Sequence, residues 1–135
     1  MSQNLIPMSY AMESAISTKS VQTILDLLDR GESINSRQSS TGIPLLTCVI
    51  RQELVELAQQ LIERGADIEA KSAEGETPLM EAVIIGNVEL VQTLLQRGAN
   101  PNRKSRSGWT ALLWAQTNGR EDILNLLVNS GERFA

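Results

Sequence analysis

A pattern that spans 24 residues recurs in this chain at an interval of 33 residues. Residues 75–98 read GETPLMEAVIIGNVELVQTLLQRG, and residues 108–131 read GWTALLWAQTNGREDILNLLVNSG. Glycine, threonine, leucine and alanine return at the same places in both blocks. A period of this length is typical of stacked supersecondary units, each of which is too small to bury its own apolar face. The chain is therefore predicted to fold as a series of repeats that stabilise one another by stacking.

Three short motifs resemble the ankyrin repeat: Thr77-Pro78-Leu79 and the segments GADIE (65–69) and GANPN (98–102). The resemblance implies an all-α fold, in which helix-turn-helix units stack into a solenoid and are joined by β-turn finger loops. Four repeats are implied, of which the first two are divergent and the first and last act as caps. They cover approximately residues 5–37, 38–70, 71–103 and 104–135, which together make a single domain over residues 1–135.

Helix boundaries can be predicted from local residue types. Thr77 is a good N-cap, and Pro78 suits the first helical position, where a missing N–H costs nothing. Ile43 takes the place of the cap hydroxyl in the second repeat, so a helix start weaker by about 1 kcal/mol is expected there. Glycines are expected where helices end, because the residue after a helix often has left-handed backbone. These glycines are Gly31, Gly65, Gly86, Gly98, Gly119 and Gly131.

The fourth repeat has polar residues where the third repeat has apolar ones. Gln116 stands in the place of Val83, and the last helix contains Asp122, Asn125 and Asn129. Terminal repeats need polar outer faces for solubility. The chain is therefore expected to be a complete protein with a cap at each end.

Composition limits the kinds of partner. The net charge is −4 and the sequence pI is near 4.9, so no nucleic-acid partner is expected. The basic cluster formed by Arg103, Lys104 and Arg106 is either a solvated loop tip or a contact for an acidic patch on a partner protein. No signal peptide and no membrane-spanning segment is recognisable. A single cysteine fits a reducing compartment, so a cytoplasmic location without membrane contact is predicted.

The sequence offers little catalytic chemistry. The chain has no histidine and one cysteine, which removes the common nucleophile pairs and ordinary zinc sites. No glycine-rich phosphate loop is present. Cys48 is interpreted as a buried core residue, with a reactive thiol as the alternative. The chain is therefore expected to be neither an enzyme nor a protein with a cofactor or bound metal.

In the ankyrin family, partners bind along the finger loops and the concave face. Transferred to this sequence, the resemblance implies a protein-binding surface, with Trp109 and Ile85 as candidate apolar anchors. Its predicted residues are Ile50, Ala73, Glu74, Glu76, Ile84, Ile85, Lys104, Arg106, Trp109, Thr117 and Asn118. Alternatives remain open for three apolar residues. Trp109 could lie flat over the neighbouring finger, Trp114 could be core or cap packing, and Ile84 could pack beneath the preceding finger.

Two classes of function follow. The first is a non-catalytic protein-interaction module, such as a small adaptor, inhibitor or regulator that is monomeric alone and binds another protein. The alternative is a self-associating structural protein, or an assembly or chaperone factor for one complex. An enzyme or small-molecule binder would need an enclosed pocket, which a thin stack of repeats rarely supplies.

Overall fold

The computed structural model describes the backbone of residues 6–134 and the side chains of residues 6–131. Within that range the chain forms eight α-helices and no strand, and isolated β-bridges join Arg37 to Pro7 and to Pro44. The all-α prediction is therefore confirmed. The helices are α1 (Tyr10–Ser17), α2 (Val21–Asp29), α3 (Leu45–Arg51), α4 (Val55–Glu63), α5 (Pro78–Ile85), α6 (Val88–Gln96), α7 (Ala111–Asn118) and α8 (Glu121–Phe134).

The contacts divide the chain into two compact units, residues 1–67 and residues 68–135. In the first unit, α1 packs against α2 and α3 packs against α4. The first predicted repeat therefore contains a formed helix pair. The fully buried apolar side chains of this unit follow the helical period. They include Met12, Ile24, Leu45, Leu57 and Leu61.

In the second unit, α5 packs against α6 and α7, and α8 packs against α6 and α7. The carboxylate of Glu69 links the loop segments of successive repeats. It accepts a hydrogen bond from the Asn100 backbone N–H at 2.8 Å and pairs with the Arg103 guanidinium at 3.2 Å. Such contacts tie repeats together without the histidine that is usual in the family. The largest buried side chains of this unit are Leu79, Met80, Leu90, Leu94 and Ile123.

Side-chain caps begin the helices of the second unit. The hydroxyl of Thr77 accepts a hydrogen bond from Met80 N–H, as predicted, and the Asn87 side chain accepts one from Leu90 N–H. In the second repeat, the N-cap residue is Pro44 rather than Ile43, and it makes no side-chain capping bond. The start of α3 therefore lacks a cap, one residue later than the sequence indicated.

The first helix of each repeat ends in left-handed backbone. Gly86 (φ 75°) follows α5 and Gly119 (φ 69°) follows α7. Lys19 (φ 56°) and Glu53 (φ 59°) have the same backbone conformation after α1 and α3. Left-handed backbone brings a Cβ too close to the following carbonyl oxygen and costs roughly 1–2 kcal/mol. The first unit is therefore strained at two turns where the second unit has glycine.

Replacing Glu53 with glycine is expected to raise the free energy of unfolding by about 1 kcal/mol, because glycine adopts φ 59° without a Cβ penalty. The matched control is Gln60→Gly in the interior of α4, which is expected to lower it by about 1 kcal/mol. Urea denaturation measures both. A Glu53→Gly protein no more stable than the wild type would contradict the assignment of strain.

The last helix corrects one prediction. Gly131 was expected to end α8, but the helix continues through it to Phe134. In the third repeat, Gly98 (φ 93°) is followed by Ala99 and Asn100, which are not helical, and by a turn that begins at Pro101. Gly131 is followed by Glu132 and Arg133, which are good helix formers, so nothing in the local sequence stops the helix.

Candidate functional site

The loop at residues 71–76, called here the third-repeat finger, is a tight hairpin. Ser72 N–H donates to the Glu76 carbonyl at 2.9 Å, and Gly75 N–H donates to the Ser72 carbonyl at 2.9 Å. Gly75 closes the turn with φ 80°. Ser72 is buried and its hydroxyl also accepts from Glu76 N–H, so the base of the loop is fixed. Ala73 and Glu74 are thereby left exposed at the tip.

The loop at residues 104–109, called here the fourth-repeat finger, repeats this geometry. Ser105 N–H donates to the Trp109 carbonyl at 2.8 Å, and Gly108 N–H donates to the Ser105 carbonyl at 2.9 Å. The Ser105 hydroxyl accepts from Trp109 N–H at 3.2 Å. This hairpin holds the backbone of Trp109 opposite Ser105, so the tryptophan has a defined position.

One backbone hydrogen bond joins the two fingers. Arg106 N–H donates to the carbonyl of Glu74 at 2.9 Å. The two loops are so close together that a Cβ on Gly75 would lie 3.0 Å from the backbone nitrogen of Arg106. Position 75 therefore requires glycine, both because a Cβ would be too close to Arg106 and because the backbone there is left-handed.

The fourth-repeat finger also contacts the first turns of α7 through a pair of tryptophans. The rings of Trp109 and Trp114 have centroids 4.6 Å apart and an interplanar angle of 44°. Both residues are half-buried, and the indole N–H of Trp114 is buried without a hydrogen-bond partner. Trp109 therefore packs against Trp114, and each residue keeps part of its surface in water.

The last turns of α5 and α7 present four of the predicted site residues. Ile84 and Ile85 are half-buried at the end of α5, while Thr117 and Asn118 are exposed at the equivalent place in α7. The two helices pack against each other. Both isoleucines thus keep part of their apolar surface in water.

Arg120 fixes the end of α5 relative to α8. Its guanidinium donates to the Gly86 carbonyl at 2.9 Å and to the Asp122 carboxylate at 3.1 and 3.3 Å. These bonds satisfy a carbonyl beyond the last turn of α5 and hold the backbone next to Ile85. The hydrogen bonds from Arg120, and then from Ile123 N–H, lower the pKa of Asp122.

The lowered pKa of Asp122 gives a test of this contact. A depressed pKa in the folded state stabilises the fold above the ordinary Asp pKa, and the contribution disappears as pH falls through the folded value. We expect Arg120→Met to raise the pKa of Asp122 towards its ordinary value. Carbon-detected NMR titration of the carboxylate measures this. An equal pKa in both proteins would show that the guanidinium does not bind the carboxylate in solution.

Ile50 must be removed from the predicted surface. It was placed on a concave face, but it is 0% exposed. Ile50 lies in the last turn of α3, where every residue from Leu45 onward is buried except Arg51. The second repeat is divergent, and the prediction that Ile50 is exposed was wrong. A side chain without solvent exposure cannot contact a partner unless the fold rearranges.

The remaining ten predicted residues all belong to the second unit and all keep exposed surface. We call them, together with Trp114, the finger surface. Ala73, Glu74, Lys104, Arg106, Thr117 and Asn118 are exposed, and Glu76, Ile84, Ile85 and Trp109 are half-buried.

Sequence reasoning missed a second exposed apolar feature. Leu113 is 41% exposed and Val128 is 47% exposed, although their counterparts one repeat earlier, Met80 and Leu95, are buried and half-buried. We call Leu113 and Val128, with the half-buried Leu124, the open end face. Alignment of the two 24-residue blocks shows that these three residues are apolar in both repeats, in contrast to the polar residues near them.

Within residues 6–131, no three histidine, cysteine, aspartate or glutamate side chains cluster closely enough to hold a metal ion. In the same part of the chain, no helix has the length and apolar character needed to cross a bilayer. Cys48 is buried, as predicted.

Comparison with known families identifies the repeats. A family model described as ankyrin repeats, in three copies, matches residues 45–134, which is two thirds of the chain. A comparison with curated proteins finds no match. The matched range begins with α3 and includes both fingers, and ankyrin repeats are generic protein–protein interaction modules. With its helix pairs, hairpin fingers and matching motifs, the chain belongs to the ankyrin-repeat family.

Proposed function

We propose that this chain is a non-catalytic adaptor, inhibitor or regulator that binds one partner protein through the finger surface. The observation that carries the proposal is the pairing of Trp109 with Trp114 beside two joined loops of opposite charge. Partly exposed aromatic residues held in a defined geometry are typical anchors of protein interfaces. Their ordering precedes binding, so less entropy is lost when a partner docks.

The residues around the tryptophan pair support the same proposal. Ile84 and Ile85 add partly exposed apolar surface at the end of α5, and Thr117 and Asn118 add polar groups at the end of α7. A central apolar region with a polar rim is the usual composition of a protein interface. We further propose that the four repeats act as one domain in the cytoplasm and that the chain is monomeric before it binds.

Capture from lysate of the native source tests the proposal, with mass spectrometry as the readout. Wild type, Trp109→Ala and Ile85→Arg are compared with the control Tyr10→Ala, which removes an aromatic side chain that is 86% exposed in the first unit. A protein retained by wild type and by the control, but lost with both surface variants, supports the proposal. Identical sets of captured proteins would refute it, provided that circular dichroism shows all four to be folded.

Self-association is the alternative, and the open end face favours it. Leu113 and Val128 are both exposed, whereas their counterparts one repeat earlier, Met80 and Leu95, are buried and half-buried. Light scattering gives the mass in solution. A dimer that Leu113→Glu converts to a monomer would support this alternative, whereas a wild-type monomer at high concentration would exclude it.

A further inference from the structure

Two cations of the fourth-repeat finger have no carboxylate partner among residues 6–131. Arg103, the first member of the basic cluster, pairs with Glu69 at 3.2 Å and so stabilises the loop. Lys104 and Arg106 are exposed, and neither makes an ion pair with any side chain in residues 6–131. The basic cluster therefore divides into one structural arginine and two cations that are available to a ligand.

The hairpin places both cations next to the tryptophan pair. Ser105 is hydrogen-bonded to Trp109 through its backbone and its side chain. Lys104 and Arg106 are the residues directly before and after Ser105. The ring of Trp109 is in turn 4.6 Å from that of Trp114. Two exposed cations and a partly exposed indole therefore belong to the same six-residue loop, 104–109.

The third-repeat finger has the opposite charge. Glu74 is exposed at its tip, and its carboxylate accepts a long hydrogen bond of 3.4 Å from the Ser72 hydroxyl. Because Arg106 N–H bonds to the Glu74 carbonyl, the acidic and basic tips are held in a fixed relation. Complementary charges of this kind determine the orientation of a partner and exclude wrong partners more than they add affinity.

We infer that the finger surface recognises a peptide segment in which an aromatic or aliphatic side chain is adjacent to carboxylates. The apolar side chain contacts Trp109 and Trp114, and the carboxylates pair with Lys104 and Arg106. Glu74 repels the acidic end of the segment, which fixes its direction. This inference rests on the proposed function and adds the chemistry of the partner to it.

Selection from a random peptide library displayed on phage tests the inference directly. Four proteins are used as bait: wild type, Trp109→Ala, the double variant Lys104→Glu/Arg106→Glu, and the double variant Arg30→Glu/Arg97→Glu. The last is a matched control, because it makes the same change in net charge at two exposed arginines outside the finger surface.

The expected result is enrichment, on wild type and on the matched control, of peptides with Asp or Glu beside Trp, Phe, Leu or Ile. Lys104→Glu/Arg106→Glu is expected to keep the apolar preference but to lose the preference for Asp and Glu. Trp109→Ala is expected to enrich no such peptides. A carboxylate preference that is absent on wild type, or unchanged in Lys104→Glu/Arg106→Glu, would overturn the inference.

The same selection separates this inference from the proposed function. Apolar peptides without a charge preference on wild type, lost on Trp109→Ala, would refute the acidic partner and leave the finger surface as a binding site. Selection of the same peptides by wild type and Trp109→Ala would refute both.

Intrinsic fluorescence then measures affinity at the site itself. The chain has two tryptophans, and both belong to the pair, so emission excited at the red edge of absorption reports this surface alone. Adding a selected acidic peptide is expected to shift the emission. The affinity is expected to fall severalfold when salt is raised, because exposed ion pairs are screened. An affinity independent of salt would contradict the assigned role of Lys104 and Arg106.

Discussion

Replacing Trp109 with alanine is expected to weaken partner binding at least about thirtyfold, which corresponds to about 2 kcal/mol. The half-buried indole contributes less to the fold than to an interface. The contact between its ring and that of Trp114, with centroids 4.6 Å apart, contributes about 1 kcal/mol beyond the burial of apolar area. The hydrogen bonds of Trp109 in the hairpin are made by its backbone, so they remain in the alanine variant. The free energy of unfolding should therefore fall by about 1 kcal/mol for the lost ring contact, and further by the contribution of the apolar area that the half-buried indole buries, while the helical content should not change.

Binding is measured by calorimetry against the captured partner, and stability is measured by urea denaturation. Tyr10→Ala is the control, since it removes an exposed aromatic side chain from the first unit and should change neither quantity. A Trp109→Ala protein that is unfolded would show that the indole belongs to the core. A folded variant with wild-type affinity would show that the partner binds elsewhere.

The second large effect concerns Gly75. Replacement by alanine is expected to lower the free energy of unfolding by about 2 kcal/mol, since two costs combine. The backbone has φ 80°, which disfavours any Cβ, and the new Cβ would lie 3.0 Å from the backbone nitrogen of Arg106. To relieve that contact the fingers must separate, which breaks the bond from Arg106 N–H to the Glu74 carbonyl.

Gly98→Ala is the matched control for Gly75→Ala. Gly98 also has a positive φ of 93°, but no heavy atom lies within 4 Å of a Cβ built there. Only the backbone cost of about 1 kcal/mol should remain. Hydrogen exchange at the Arg106 amide provides a second readout and should accelerate in Gly75→Ala alone. Equal losses of stability with unchanged exchange would mean that the fingers are not joined as described.

The fold could be predicted from the sequence where residue type alone determines backbone geometry. The caps at Thr77 and Asn87 and the left-handed glycines at positions 86 and 119 act within a few residues, so they leave local motifs. In contrast, the left-handed Lys19 and Glu53 could not be predicted, because neither residue type favours that backbone. These turns join α1 to α2 and α3 to α4, which pack against each other, and such packing leaves no local motif.

The candidate site was less predictable than the fold, because exposure depends on which faces of the helices are covered. The family resemblance assigned both Ile50 and Ile84 to the binding surface, yet Ile50 is fully buried and Ile84 is half-buried. The contact between Trp109 and Trp114 was also missed. It joins a loop to a helix, and neither helical periodicity nor the family motif specifies the rotamers that bring the rings together.

Hydrogen exchange of the chain, alone and bound to its captured partner, tests the location of the binding surface most directly. The proposed function predicts slower exchange on binding at residues 71–76 and 104–109 and at the last turns of α5 and α7. The amides of α6 and of the first unit should exchange at unchanged rates. Protection confined to α6, α8 or the first unit, with both fingers unchanged, would contradict the assignment of the finger surface as the binding site.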